Sequence, residues 1–291
     1  MDAHSAPIPR PGRLMAIGGA EDKTRERVVL RRFVELCGGP QGRLLVLATS
    51  SELADTGERY SDIFRELGIG QVAVLRIGNR EEALAAGPEV LDLLPDASAL
   101  FLTGGSQLRF SSALGGTPLA AAIRSRHAAG MVVGGTSAGA SLLSEHMIAL
   151  GDSGSTPRRR LVHLAQGLGL APELIIDQHF RRRDRLGRLL TALSYNPTPL
   201  GVGIDEDTAV VIEPEGTLQV IGAGAVLVLD ARPMRFTDSY AVRRGQPLAM
   251  LGLKLDVLTA GCGYDLRRRE GLPPLRADAE TLREETAALR E

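Results

Sequence analysis

Short runs of apolar residues alternate along this chain with segments of helical periodicity. The apolar runs are RLMAI at 13–17, RLLVLAT at 43–49, QVAVLRI at 71–77, ALFLTGG at 99–105 and MVVGG at 131–135. The segments between them, at 23–37, around Tyr60, around 80–94 and around 115–128, carry apolar side chains at helical spacing. A strand buried on both faces reads as a continuous apolar run, and a parallel neighbour requires a crossover helix. The pattern therefore predicts an α/β fold: a doubly wound, mostly parallel sheet with helices on both faces.

The pattern changes near residue 200. The segments LGVGID, TAVVIE, LQVIG and AVLVLD are strand-like and are separated by short turns, which predicts additional antiparallel strands toward the C-terminus. Because no linker-like stretch interrupts residues 13–265, we expect a single α/β domain over that range. Residues 1–12 contain three prolines and are predicted to be a tail, and residues 266–291 to be a charged C-terminal tail.

Composition excludes several classes of protein. Lys and Arg number 34 against 35 Asp and Glu, so the chain lacks the positive charge of a dedicated nucleic-acid binder. Two cysteines are too few for a disulfide scaffold or a multi-cysteine metal site. No apolar run reaches 18 residues and the N-terminus lacks a signal-peptide pattern. We therefore expect a soluble cytoplasmic protein that has no contact with membranes.

The segment Gly135-Thr136-Ser137-Ala138-Gly139 follows the apolar strand MVVG. This is the G-x-S-x-G pattern of a nucleophile elbow, a sharp turn that lifts a serine hydroxyl above the sheet and leaves room only for glycine two residues before and two residues after the serine. The following residues, SLLSEHMIAL at 141–150, are predicted to continue as a helix. Strand, turn and helix are the context that the pattern requires, so Ser137 is a candidate nucleophile.

The turn Thr103-Gly104-Gly105-Ser106-Gln107 ends the preceding strand. Its glycines allow backbone N–H groups to face a neighbouring site. Together with the N–H of Ala138, they are candidates for an oxyanion hole that stabilises an acyl-transfer intermediate.

A third strand end, LIIDQHF at 174–180, carries His179. Of the five histidines, it alone follows an apolar strand, where a general base could reach Ser137. An imidazole in this role needs a carboxylate to orient it. Asp205, Glu206 and Asp152 are the candidates, and spacing alone does not choose among them.

An arginine-rich segment, RRRDRLGR at 181–188, follows His179. On a helix, Arg181, Arg185 and Arg188 would share one face through their i, i+4 and i+7 spacing. Guanidinium groups bind carboxylates in a bidentate manner, so this row suits a substrate rich in carboxylates.

Taken together, these segments resemble the cyanophycinase and aspartyl-dipeptidase family of serine peptidases. The resemblance covers about residues 13–230 and rests on IGGAEDK at 17–23, FLTGGSQ at 101–107, GGTSAGA at 134–140, GLGL at 167–170 with IIDQHFRRRDRLGRLL at 175–190, and GVGIDEDTA at 201–209. It implies a fold like that of class I glutamine amidotransferases, with serine in place of cysteine at the elbow.

The resemblance also implies roles for individual residues. Ser137 would be the nucleophile, His179 the general base and acid, and Glu206 the carboxylate of the triad, with Gly105 and Ala138 in the oxyanion hole. The implied substrate-binding residues are Gln107, Asp177, Gln178, Arg183, Arg185 and Arg188. Neither a metal nor another cofactor is required.

The implied substrate is cyanophycin, a polyaspartate whose β-carboxyl groups carry arginine, cut from one end into β-Asp-Arg dipeptides. Its carboxylates would suit the arginine row, and its guanidinium groups would suit carboxylates such as Asp177. The resemblance also suggests a homodimer. The alternative enzyme is an aspartyl- or isoaspartyl-dipeptidase-like hydrolase of small acidic peptides. A non-catalytic module is disfavoured by the intact Ser137, His179 and Glu206, and a nucleotide-binding protein by the absence of a P-loop sequence.

Overall fold

The first half of the chain forms the parallel part of a large sheet. The structure, a computed structural model, describes residues 10–49, 55–86, 90 and 97–274. The strands of this part are β1 (Leu14–Ile17), β2 (Arg43–Ala48), β3 (Gln71–Arg76), β4 (Ala99–Leu102) and β5 (Val132–Thr136). They are mutually parallel and lie side by side in the order β1-β5-β4-β2-β3. The predicted strands and their parallel arrangement are thereby confirmed.

Helices cover both faces of these strands. They are α1 (Val28–Leu36), α2 (Thr56–Glu66), α3 (Arg80–Ala85), α4 (Gln107–Leu114) and α5 (Pro118–Ala128). Phe33 of α1 and Phe64 of α2 belong to one apolar cluster, whereas Phe110 of α4 and Ile123 of α5 belong to another on the opposite face. The predicted doubly wound α/β fold is confirmed, although α4 was not predicted. Most of the predicted helix beyond Ala85 lies outside the described residues.

Helix α1 begins later than the predicted residue 23 because Asp22 organises the segment before it. The carboxylate of Asp22 accepts hydrogen bonds from the backbone N–H groups of Thr24, Arg25 and Arg27. These bonds keep the backbone of this segment in a turn, so the helix starts at Val28.

The second half of the chain supplies the remaining strands, most of which pair antiparallel. They are β6 (His146–Gly151), β7 (Val162–Gln166), β8 (Leu174–Asp177), β9 (Leu200–Ile204), β10 (Thr208–Ile212), β11 (Thr217–Gly222), β12 (Val226–Asp230), β13 (Phe236–Thr237), β14 (Met250–Leu251), β15 (Lys254–Leu258), β16 (Gly263–Asp265) and β17 (Glu270–Leu272). Four of them extend the first sheet beyond β1, in the order β17-β16-β11-β10. The extra antiparallel strands toward the C-terminus are as predicted.

A separate four-stranded sheet, which the sequence did not predict, has the order β15-β12-β9-β8. Its strands β8 and β9 are parallel, while β12 is antiparallel to β9. Ile176 and Val202 on one of its faces join the cluster that contains Phe110 and Ile123, which we call the main apolar core. Ile175 and Leu229 on the other face pack with Leu189 of helix α7 (Leu186–Tyr195). The strand that precedes His179 therefore belongs to a different sheet from the strand that precedes Ser137.

The helix predicted over 141–150 is wrong. Only a short helix, α6 (Ala138–Ser141), follows the serine, and β6 then pairs with β7 as an antiparallel hairpin. Met147 is buried in the main core, but its neighbour Ile148 is buried in the cluster around α7. Neighbouring side chains that point to opposite sides are typical of a strand, and a short apolar run does not distinguish a strand from a helix by periodicity.

The large sheet continues past residue 265, where the sequence predicts the domain to end. Strand β17, at Glu270–Leu272, pairs with β16. Of the two predicted tails, residues 1–9 and 275–291 lie outside the described residues. Among the residues that are described, no helix is long and apolar enough to cross a membrane.

Candidate active site

The turn at Ser137 has the geometry that the G-x-S-x-G pattern predicts. Ser137 has φ 52° and ψ −119°, and it lies between the end of β5 and the start of α6. A β-carbon at Gly135 would lie 2.3 Å from the carbonyl oxygen of Gly139, and one at Gly139 would lie 2.3 Å from that of Leu102. Neither contact is tolerable, so only glycine fits on either side of this serine.

The side chain of Ser137 meets that of His179. Ser137 Oγ lies 3.0 Å from His179 Nε2, within hydrogen-bonding distance. His179 follows β8 in the second sheet, and its backbone N–H donates to the carbonyl oxygen of Gly18 at the end of β1, 2.8 Å away. This bond joins the strand end that carries the histidine to the large sheet that carries the serine.

Glu206 lies on the other side of the imidazole ring. Its Oε1 is 2.6 Å from His179 Nδ1. Asp205 instead accepts hydrogen bonds from the backbone N–H groups of Arg181 and Ala225, and Asp152 is exposed to solvent. Of the three carboxylates that spacing left open, Glu206 is thus the one hydrogen-bonded to His179.

The surroundings of His179 favour its neutral form. Burial lowers the pKa of the imidazole, and the positive charge of Arg183 lowers it further. The hydrogen bond that His179 donates to Glu206 and the negative charge of Glu206 act in the opposite direction but do not outweigh burial. A neutral imidazole can accept the proton of a serine hydroxyl, which is the requirement for a general base.

The glycine turn after β4 approaches Ser137. A β-carbon at Gly104 would lie only 3.8 Å from Ser137 Oγ, and Gly105 has φ 149°. The backbone N–H groups of Gly105 and Ala138 have no assigned acceptor among the described residues. Two donors of this kind beside a serine hydroxyl are suited to holding a developing oxyanion.

The comparisons with known proteins agree with this geometry. Residues 14–220 match peptidase family S51. The chain belongs to peptidase family S51. The S51 peptidase is 43% identical over 271 residues to a cyanophycinase from Synechococcus elongatus, a match that covers 91% of this chain and 84% of the relative. A cyanophycinase from Geminocystis herdmanii is 40% identical over 259 residues, with 88% and 94% covered. The predicted family resemblance is confirmed.

Solved structures show the same fold. A peptidase from an acI-B1 Actinobacterium matches the S51 peptidase with a TM-score of 0.65 and 23% identity, covering 89% of this chain and 98% of the other. A putative peptidase E protein from Listeria monocytogenes EGD-e matches with a TM-score of 0.51 and 17% identity, covering 74% and 100%. At these identities, the likeness extends to the fold alone.

Four of the predicted substrate-binding residues of the S51 peptidase, Asp177, Gln178, Arg185 and Arg188, are held in one buried network. Asp177 has no exposed surface and accepts hydrogen bonds from Arg188 Nε at 2.7 Å and Arg188 Nη2 at 2.5 Å. Arg185 Nη1 lies 3.4 Å from Asp177 and donates to both the backbone and the side-chain oxygen of Gln178, at 2.7 and 2.9 Å. Burial lowers the pKa of Arg185 to about 10, so its guanidinium group stays charged at neutral pH.

The predicted row of three arginines on one helix face is wrong. Helix α7 begins at Leu186, and the residues before it form turns that close on His179 and Phe180. Arg181 is 81% exposed beside Asp205, whereas Arg188 is 6% exposed. The guanidinium groups of Arg185 and Arg188 therefore face Asp177, and Arg181 lies apart from them.

The other two predicted binding residues, Arg183 and Gln107, are not members of this network. Arg183 is exposed, and its backbone N–H donates to the carbonyl of His179. Gln107 is half-buried at the start of α4, where its Nε2 is 3.5 Å from the carbonyl of Ile148. Within the described ranges, no cluster of three or more His, Cys, Asp or Glu side chains is arranged to hold a metal ion.

One residue of this site escaped the sequence analysis. Glu21 is 3% exposed and accepts a hydrogen bond from Thr136, the residue before the serine. A signal was available, since the acidic residue follows two glycines at the end of β1, inside the segment IGGAEDK. The periodicity of the sequence gave no reason to bury a carboxylate there.

Proposed function

We propose that this S51 peptidase is a serine-type exopeptidase that hydrolyses cyanophycin to β-Asp-Arg dipeptides through an acyl-enzyme. One observation carries the proposal: Ser137, His179 and Glu206 form a continuous chain of hydrogen bonds of 3.0 and 2.6 Å. The choice of substrate is supported by the 40–43% identity to relatives named cyanophycinase.

In the first half of the reaction, Ser137 Oγ attacks a backbone carbonyl carbon of the polyaspartate while its proton passes to His179 Nε2. The resulting tetrahedral intermediate collapses, the C–N bond breaks, and the departing amine takes the proton from Nε2. In the second half, water adds to the ester carbonyl and gives a proton to the same nitrogen. The Oγ–C bond then breaks and Ser137 regains its proton.

Glu206 acts on the imidazole rather than on the substrate. By accepting a hydrogen bond from Nδ1, it keeps the lone pair on Nε2 facing Ser137. Its negative charge stabilises the imidazolium that forms after proton transfer. The N–H groups of Gly105 and Ala138 stabilise the oxyanion on the carbonyl oxygen.

The substrate pocket combines mobile and fixed polar groups. We assign the exposed Arg183 to a substrate carboxylate, and the amides of Gln107 and Gln178 to backbone groups of the substrate. We assign Asp177, Arg185 and Arg188 a supporting role as a buried, fixed frame, because their charges are already paired with one another.

The organisation of the molecule is also part of the proposal. We assign residues 13–265 to a single α/β domain, to which β17 adds one further strand. From the family resemblance we also infer a cytoplasmic homodimer. A single cooperative unfolding transition and a dimer mass by light scattering are the expected results.

The direct experiment is to incubate purified protein with insoluble cyanophycin and to look for β-Asp-Arg by mass spectrometry. The matched control is Ser137→Ala, which keeps the β-carbon and is expected to lower turnover at least about a thousandfold. Dipeptide from the wild type alone supports both substrate and nucleophile. Hydrolysis of isoaspartyl or aspartyl dipeptides without any attack on the polymer would replace the proposal by the dipeptidase alternative.

A further inference from the structure

The loop after β1, residues 18–23, contacts the surroundings of all three triad members. The carbonyl of Gly18 accepts the backbone N–H of His179, and that of Gly19 accepts the backbone N–H of Asp207, next to Glu206. The loop reaches the third member, Ser137, through the side chain of Glu21. None of the steps of hydrolysis described above uses Glu21.

The carboxylate of Glu21 is buried among three donors. Thr136 Oγ1 donates to Oε2 at 2.8 Å, the Tyr60 hydroxyl donates to Oε1, and Lys23 Nζ lies 3.1 Å from Oε1. Burial alone would raise the pKa of this carboxyl, but Lys23 and the two hydroxyl groups outweigh burial and lower it. Glu21 is therefore a charged acceptor at neutral pH, and its hydrogen bonds are stronger than those of a neutral acceptor.

The backbone at the serine needs such support. A residue other than glycine at positive φ, as at Ser137, costs free energy and persists only where the surrounding structure holds it. Thr136 is the last residue of β5 and is 2% exposed. Its hydroxyl group is the side-chain contact that joins the residue before the elbow to the loop after β1.

We propose that Glu21 is a positioning residue, which holds Thr136 through its hydroxyl group and thereby keeps Ser137 Oγ directed at His179. The inference rests on the proposed role of Ser137 as the nucleophile, but not on the identity of the substrate. Glu21 does not touch the reacting atoms, so its loss should slow the attack by Ser137 without weakening substrate binding.

Four variants separate this role from a general contribution to stability. Thr136→Val removes the hydroxyl group and keeps the shape of the side chain, and Glu21→Gln removes the charge. Tyr60→Phe is the matched control, because it removes a hydrogen bond from the other oxygen of the same carboxylate, away from the elbow. Thr136→Ser restores the hydroxyl group and is the conservative rescue.

The readouts are kcat, KM, the melting temperature and the rate of labelling of Ser137 by a fluorophosphonate. In that labelling, Oγ bonds to phosphorus, fluoride leaves and the serine proton is lost to the base. Thr136→Val and Glu21→Gln are each expected to lower kcat and the labelling rate about 10- to 100-fold with KM unchanged. The double variant should be no slower than the slower single variant, since both changes break the same link. Tyr60→Phe should lower the melting temperature but leave kcat and the labelling rate at the wild-type level. Thr136→Ser should also leave both rates at the wild-type level.

The inference is overturned if Tyr60→Phe slows labelling as much as Thr136→Val at equal loss of stability, or if the effects of Thr136→Val and Glu21→Gln multiply. If Glu21→Gln does not fold, Thr136→Val and its serine rescue still decide. A wild-type protein that is labelled at Ser137 but releases no dipeptide from cyanophycin would contradict the proposed substrate alone. A wild-type protein that is not labelled at Ser137 would contradict the nucleophile, and the role of Glu21 would fall with it.

Discussion

The imidazole ring of His179 occupies the space into which a side chain at Gly19 would project. A β-carbon at Gly19 would lie 2.4 Å from His179 Nε2, the atom that faces Ser137. Gly19 also has φ +90°, which L residues rarely adopt. Glycine at position 19 is therefore required beside His179 for steric as well as conformational reasons.

We accordingly expect Gly19→Ala to displace the imidazole and to lower kcat about a hundredfold, because a misplacement of about 1 Å is enough for a loss of that size. The measurement is steady-state turnover of the substrate together with the melting temperature. Gly68→Ala is the matched control, since Gly68 has φ +94° and nothing within 4 Å of its would-be β-carbon. The two variants share the cost of positive φ, about 1–2 kcal/mol, and differ in the contact with His179. Equal activities would contradict the steric role.

The acid limb of the pH profile should lie below the ordinary histidine pKa of about 6.5. Burial lowers the pKa of His179, and the base must be neutral, so kcat/KM should stay level as the pH falls to that value and decline only below it. Replacing Glu206 by Gln removes a group that raises this pKa, and the titration of His179 should move to still lower pH. Turnover should fall about 10³- to 10⁴-fold in the same variant. NMR titration of the imidazole measures the shift, and a move to higher pH would be the contrary result.

Arg183→Gln should move the same titration in the opposite direction. The positive charge of Arg183 lowers the pKa of His179, so its removal should raise that pKa and shift the acid limb to higher pH. KM should also rise if Arg183 binds a substrate carboxylate. Arg182→Gln is a suitable control on a neighbouring exposed residue, since Arg182 is not one of the charges that act most strongly on this pKa. A limb that stays in place in Arg183→Gln would show that its charge does not reach the imidazole.

Asp177→Ala should be one of the most destabilising single changes near the site. It would leave the guanidinium groups of Arg185 and Arg188 buried without their carboxylate, which typically costs about 3–5 kcal/mol of unfolding free energy. Urea unfolding followed by circular dichroism is the measurement. Arg181→Gln, which removes a largely exposed guanidinium group 3.5 Å from Asp205, should cost less than about 1 kcal/mol. Similar losses in both variants would contradict the importance of burial.

The parallel half of the fold could be predicted because each buried strand is a continuous apolar run followed by a helical segment. The elbow was also predictable, because the steric requirement for glycine at positions 135 and 139 produces a short sequence pattern around Ser137. The helix predicted at 141–150 failed because Met147 and Ile148 satisfy the helical and the strand pattern equally well, and only the two separate apolar clusters they enter decide between them.

Contacts between distant segments could not be read from the sequence. Spacing did not distinguish Glu206 from Asp205 as the partner of His179, because the two residues are adjacent. The structure distinguishes them because Asp205 accepts hydrogen bonds from the backbone N–H groups of Arg181 and Ala225. The burial of Glu21 depends on Tyr60 and Thr136, which lie 39 and 115 residues away along the chain. The arginine row failed because a helix beginning at Leu186 and the buried Asp177 direct its members differently.

The proposed triad is divided between two sheets. Ser137 follows β5 of the nine-stranded sheet, whereas His179 and Glu206 follow β8 and β9 of the four-stranded one. A slight slip of one sheet against the other would break the 3.0 Å contact between Ser137 and His179 while both sheets kept their own hydrogen bonds. Turnover therefore depends on the alignment of the two sheets. As the denaturant concentration rises, the protein should lose activity before its circular dichroism changes.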